Sequence, residues 1–177
     1  LVIPIVLKPD LIMLLLELPS IMLRMLLSFH YMGMDLAQYQ FYYINLDDQF
    51  LARNPQEQIK AFMGNAFDVK EYDGDLKSTD DIPYDYVKVH KNPGHTKGSV
   101  SYEFTNSGLI FTGDFVFRDG IGRTDLLSGS MEDMSHSLKN IFMNFNEDSE
   151  ILPGHGPSGK VKSIKNNNEY IKVLLND

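Results

Sequence analysis

Two histidines and one aspartate stand out by their settings. His95 lies in Pro93-Gly94-His95-Thr96, Asp114 in Thr112-Gly113-Asp114, and His155 in Pro153-Gly154-His155-Gly156. Imidazole and carboxylate are suitable ligands for Zn²⁺ or Fe²⁺. Glycine permits tight backbone paths and close approach, so each turn can aim a short side chain into a shared cavity. Taken singly, each motif has an ordinary explanation. A histidine after a strand is usually a cap or surface residue, and Gly-Asp is usually a turn. Their combination and order carry the signal. With an open fourth position for water, His95, Asp114 and His155 alone would make a weak three-ligand site.

The elements that must position these residues are legible from patterning. Residues 40–46 are aromatic and β-branched and read as a strand. Asn54-Pro55 reads as an N-cap with proline at the first helical position, opening a helix to about Met63 that stops at Gly64. Tyr72-Asp73-Gly74-Asp75 reads as a turn. Residues 86–90, 99–104 and 109–112 alternate as strands, with a turn at Asn106-Ser107-Gly108. In 131–145, Met131, Met134, Leu138, Ile141, Phe142 and Phe145 fall on one helical face. Ser130 caps that helix, with Asp133 placed as in a capping box. Residues 150–152 form a short strand delivering His155, and 167–175 form a last helix. The Asn166-Asn167-Asn168 run reads as solvated. His95 and His155 then follow strands and Asp114 ends one, in a mixed α/β layer fold.

The chain has 177 residues, which suits one domain with a sizeable core. A net charge of −8 disfavours a nucleic-acid partner. There is no cysteine, which excludes disulfides, thiolate ligands and cysteine nucleophiles and fits a cytoplasmic protein. Residues 11–27 are very apolar, but Glu17, Pro19 and Arg24 interrupt them, so buried core is expected rather than a membrane span. They lack the basic start and cleavage site of a signal peptide. The chain begins at Leu1 rather than Met, which fits a fragment or a partly recovered sequence.

The three motifs resemble those of the metallo-β-lactamase superfamily. Residues Pro93-Gly94-His95-Thr96-Lys97-Gly98-Ser99 resemble its third metal-ligand motif. Phe111-Thr112-Gly113-Asp114-Phe115-Val116-Phe117 resembles the segment bearing its bridging aspartate. Ile151-Leu152-Pro153-Gly154-His155-Gly156-Pro157 resembles the last ligand motif. Gly120-Ile121-Gly122-Arg123-Thr124-Asp125-Leu126 and Gly129-Ser130-Met131-Glu132-Asp133 are similar to the glyoxalase II-like branch. The resemblance runs from about Tyr42 to the C-terminus. It implies one domain over 1–177, atypical in 1–40, with an αββα four-layer sandwich and metals at one sandwich edge. By the resemblance, His95 binds a first metal, Asp114 bridges two, and His155 binds the second, with one or two Zn²⁺ or alternatively Fe²⁺. The implied reaction is attack of a metal-bound hydroxide on a thioester, such as an acyl-glutathione.

The family's upstream His-x-His-x-Asp-His motif is absent. Its nearest counterpart is Phe29-His30-Tyr31-Met32-Gly33-Met34-Asp35-Leu36, where His30 stands for a ligand and Asp35, after one insertion, for the catalytic aspartate. Met and Leu cannot replace imidazole. A frameshifted or truncated N-terminal sequence, a homologue without its metals, and a site rebuilt with other ligands all accommodate this. Two functions therefore stand beside the hydrolase: an inactive domain kept for binding, and an iron-dependent persulfide dioxygenase.

Among other polar residues, His90 is expected to be a hydrogen-bonded strand residue and His136 solvent-exposed. Arg123 is expected to tie its loop through Asp125, or else to bind a substrate carboxylate. Lys165, Asn168 and Tyr170 lie in a tail that matches the family weakly.

Overall fold

The computed structural model describes residues 41–54, 57, 60 and 75–176. His30, Asp35, the apolar stretch 11–27 and the 72–74 part of the expected turn lie outside them. Strand β1 (Phe41–Ile44) pairs in parallel with β2 (Asp75–Ser78). A five-stranded sheet follows, made of β3 (Val87–Lys91), β4 (Val100–Phe104), β5 (Leu109–Gly113), β6 (Glu150–Pro153) and β7 (Gly159–Lys160), in that spatial order. All neighbours are antiparallel except β5 and β6.

This topology sets the site. Strand β3 runs toward one edge, β4 returns from it, β5 runs back to it, and β6 is parallel to β5. The β3–β4 turn and the ends of β5 and β6 therefore open on the same edge. His95, Asp114 and His155 occupy those three places.

Strand alternation sorts the core into two faces. Ile110 and Ile151 join Phe115, Val116, Met134, Leu138, Phe142, Phe145, Val161, Ile164 and Ile171. The neighbouring Phe111 and Leu152 point the other way, to Val87, Tyr102 and Phe104. Helix α2 (Met131–Asn140), α3 (Val161–Asn167) and α4 (Glu169–Asn176) contribute to the first cluster. Each fully buried Leu, Ile or Phe there contributes roughly 1.5–3 kcal/mol.

Several expected boundaries change. Asn54 ends a helix as well as preceding the expected one: α1 (Gln49–Arg53) comes before it, and both its backbone N–H and its side-chain amide donate to the Phe50 carbonyl, while Glu57 and Lys60 beyond it are helical and the Glu57 N–H donates to the Asn54 carbonyl. The expected continuation to Met63 lies mostly outside the described residues. Helix α2 stops at Asn140 and gives way to a 3₁₀ turn, Phe142–Asn144. Its expected face is buried at Met134, Leu138, Phe142 and Phe145, but Met131 is 51% exposed. Ser130 does cap it, accepting from the Asp133 N–H. The Ser130 N–H, however, donates to the Gly94 carbonyl, so a reciprocal capping box does not form. The expected last helix, 167–175, is α4, Glu169–Asn176, and a second helix that was not expected, α3, ends just before it with Asn168 as its C-cap. That residue is 1% exposed, not solvated, although Asn166 and Asn167 are exposed.

Candidate metal centre

His95 is held from both sides. It is 5% exposed, and its Nδ1 lies 2.7 Å from the Arg123 carbonyl oxygen. A carbonyl only accepts, so Nδ1 carries the hydrogen and the neutral ring presents a lone pair at Nε2. That buried Nε2 has no hydrogen-bond partner. It faces Asp114 Oδ2 at 3.7 Å, and on the other side His155 Nε2 faces Asp114 Oδ1 at 3.7 Å. Both distances are too long for hydrogen bonds. One carboxylate thus offers a different oxygen to each of two imidazoles. The backbone hydrogen bond on His95 is the kind that fixes a ligand's tautomer and orientation.

The glycines explain the tightness of these turns. Gly113 has φ +53°, a left-handed conformation that releases the chain from β5 and presents Asp114. A Cβ on Gly122 would stand 1.8 Å from the Asp114 carbonyl oxygen and 3.2 Å from His95 Cβ. A Cβ on Gly154 would stand 2.5 Å from Asp114 Oδ1. The Phe117 ring packs on the His155 ring, centroids 4.4 Å apart at 31°.

The orphaned, buried Nε2 and the oxygen–nitrogen donor set fit Zn²⁺ or Fe²⁺. Among the described residues, no group of three His, Asp or Glu side chains forms one metal-holding cluster. His95 and His155 instead each face a different oxygen of Asp114.

Other expectations resolve clearly. His90 Nε2 lies 2.7 Å from Glu103 Oε2, and its ring meets Phe145 edge-on, so it is a paired strand residue. His136 is exposed on α2. Arg123 grips Asp125 with two hydrogen bonds of 2.7 Å, which is the loop-tying role. Those bonds hold the Asp125 carboxyl at about 2.

Asp48 was not legible as a site residue. It is 3% exposed, and it accepts hydrogen bonds from Thr96 Oγ1 at 2.6 Å and Gly98 N–H at 2.8 Å. Burial pushes its carboxyl above the ordinary range, and those two bonds pull it back. Nothing in local spacing links residues 50 apart; Asp47-Asp48 simply resembles the acidic first turn of a short helix.

Comparison with known proteins places these features. Probable metallo-hydrolase YqgX of Bacillus subtilis is 38% identical over 79 residues, 45% of this chain and 37% of that protein. Hydroxyacylglutathione hydrolase GloC of Haemophilus influenzae is 29% identical over 135 residues, 72% of this chain and 61% of that protein. The crystal structure of the BLEG-1 B3 metallo-beta-lactamase superposes with a TM-score of 0.62 at 26% identity, covering 73% of this chain and 64% of that one. The chain spans less than two thirds of the length of these relatives. The expected metallo-β-lactamase fold is borne out by that superposition and by the mixed α/β architecture. The superfamily model matches residues 43–155, a span that begins in β1 and ends on His155, and the chain belongs to the metallo-beta-lactamase superfamily.

Proposed function

We propose that this chain is a metal-dependent hydrolase acting on a thioester of the acyl-glutathione class. One observation carries the metal half of this reading: His95 and His155 address opposite oxygens of Asp114 with their Nε2 atoms. In this reading His95, Asp114 and His155 would hold the metal, which would supply a water acidified toward neutral pH and positive charge for a carbonyl oxygen.

The chain's own residues do the positioning. The Arg123 carbonyl keeps the His95 lone pair turned toward Asp114. Arg123 itself is tied to Asp125, which steadies the strand of backbone carrying that carbonyl. Phe117 limits the swing of the exposed His155 ring. The substrate class is supported by similarity to GloC, named a hydroxyacylglutathione hydrolase.

The test is metal content and thiol release together, on the full chain. Elemental analysis should find Zn or Fe, and acyl-glutathione hydrolysis should liberate thiol. His95→Ala should lower both. A metal-free protein releasing no thiol would leave the inactive binding domain in its place. Iron with oxygen uptake on a glutathione persulfide would favour a dioxygenase.

A further inference from the structure

We propose that Asp48 is a positioning residue for His95, holding the Thr96–Ser99 turn so that the imidazole meets Asp114; this rests on the metal-centre reading above. Asp48 stands at the N-terminal boundary of α1, yet its side chain makes no capping bond to that helix. Its carboxylate instead faces the turn that follows β3. Oδ2 accepts from the Thr96 hydroxyl and Oδ1 from the Gly98 N–H.

The bonds continue from Thr96 to Ser99. Thr96 Oγ1 is also 2.8 Å from Ser99 Oγ, and the Thr96 N–H donates to Ser99 Oγ at 3.0 Å. The Gly94 N–H donates to the Thr96 carbonyl, closing the turn around His95. Gly98 is glycine because the carboxylate comes so near. A Cβ there would stand 2.5 Å from Asp48 Cγ and 2.6 Å from Asp48 N. The Thr-x-Gly-Ser after the histidine is thus the receiving half of a clamp whose other half lies 50 residues upstream.

A carboxylate suits this role better than an amide. Both of its oxygens accept, matching two donors, whereas an asparagine presents one acceptor and one donor. A buried carboxylate is costly unless such bonds are made. Partners that orient metal ligands from behind set affinity by roughly 10–100-fold when removed.

The test uses the full chain and Co²⁺ alone, with visible absorption reporting ligand geometry and a titration reporting affinity. Asp48→Ala and Asp48→Asn should weaken binding by roughly 10–100-fold and alter the absorption bands. In a His95→Ala background, Asp48→Ala should change affinity by less than about twofold, since it acts through His95. Thr96→Val, which attacks the clamp from the other side, should weaken binding in the same direction. It keeps the test available if Asp48→Ala fails to fold.

Wild-type affinity in Asp48→Asn and Thr96→Val would overturn the proposal. So would an equal loss from Asp48→Ala with and without His95, which marks general destabilisation. If His95→Ala itself binds Co²⁺ like wild type, or wild type binds none, the metal-centre reading fails and the Asp48 proposal falls with it. If His95→Ala loses binding while the Asp48 variants do not, only the Asp48 proposal fails.

Discussion

The backbone carbonyl of Arg123 sits 2.7 Å from Nδ1 of His95, and this contact decides which nitrogen of the ring faces Asp114. The loop that supplies the carbonyl approaches closely because residue 122 is glycine. The centre therefore depends as much on that loop as on its ligands.

Gly122→Ala should be destabilising throughout the fold, because its new methyl meets the Asp114 backbone, which cannot easily yield. A loss of roughly 1–3 kcal/mol in denaturant unfolding is expected. Gly154→Ala differs, since its methyl meets the Asp114 carboxylate, a side chain that can swing away. It should spare stability and lower zinc affinity. Equal effects of the two variants on stability would contradict this distinction.

Phe117→Leu should loosen His155. An aromatic pair adds about 0.5–1.5 kcal/mol beyond burial, so zinc competition titrations should show a loss of roughly 2–10-fold. Unchanged affinity would mean the ring contact is incidental.

Asn168 ties the C-terminal helix to the hairpin beyond Asp114. Its amide donates to the Phe117 and Gly120 carbonyls, and its Oδ1 accepts from the Tyr170 and Ile171 N–H groups. Asn168→Ala should cost roughly 2 kcal/mol or more, combining a lost cap with stranded carbonyls. Asn168→Asp keeps the cap but sets a carboxylate oxygen against the Phe117 and Gly120 carbonyls at a buried position, so it should cost more. Urea unfolding of the two variants orders them; the reverse order would refute the split.

The Arg123–Asp125 fork should show in a carbon-13 titration of the Asp125 carboxyl. Hydrogen bonding from Arg123 holds it at about 2. A depressed carboxyl stabilises the folded state above its ordinary value of 3.8. That contribution fades as pH falls from 3.8 toward about 2. In Arg123→Gln the midpoint should rise toward 3.8. A midpoint unmoved by the substitution would remove Arg123 as the cause.

Much of this protein follows from short-range pattern. The turns bearing His95, Asp114 and His155, strands β3 to β6 and the cap at Ser130 were each legible, because glycine punctuation, period-two alternation and capping are local properties of the chain; the two-residue β7 is too short to show such a pattern. The break at Asn168 was not, since an asparagine in an asparagine run looks solvated until its four partners are in place. Helix α1 was missed for a similar reason: Asn54-Pro55 reads as a helix start, and only the bonds back to Phe50 show that Asn54 is also an ending.

The sequence by itself determined the three glycine turns that bear His95, Asp114 and His155, and their order. The tertiary structure alone decided how they meet: that β5 and β6 run parallel, that their ends share an edge with the β3–β4 turn, and that Asp114 divides its oxygens between two histidines. It also decided that Asp48 bonds to Thr96 and Gly98 in the turn after His95. Such pairings join residues from 19 positions apart (His95 and Asp114) to 50 (Asp48 and Gly98), and their contact energies arise only after the sheet has closed those loops.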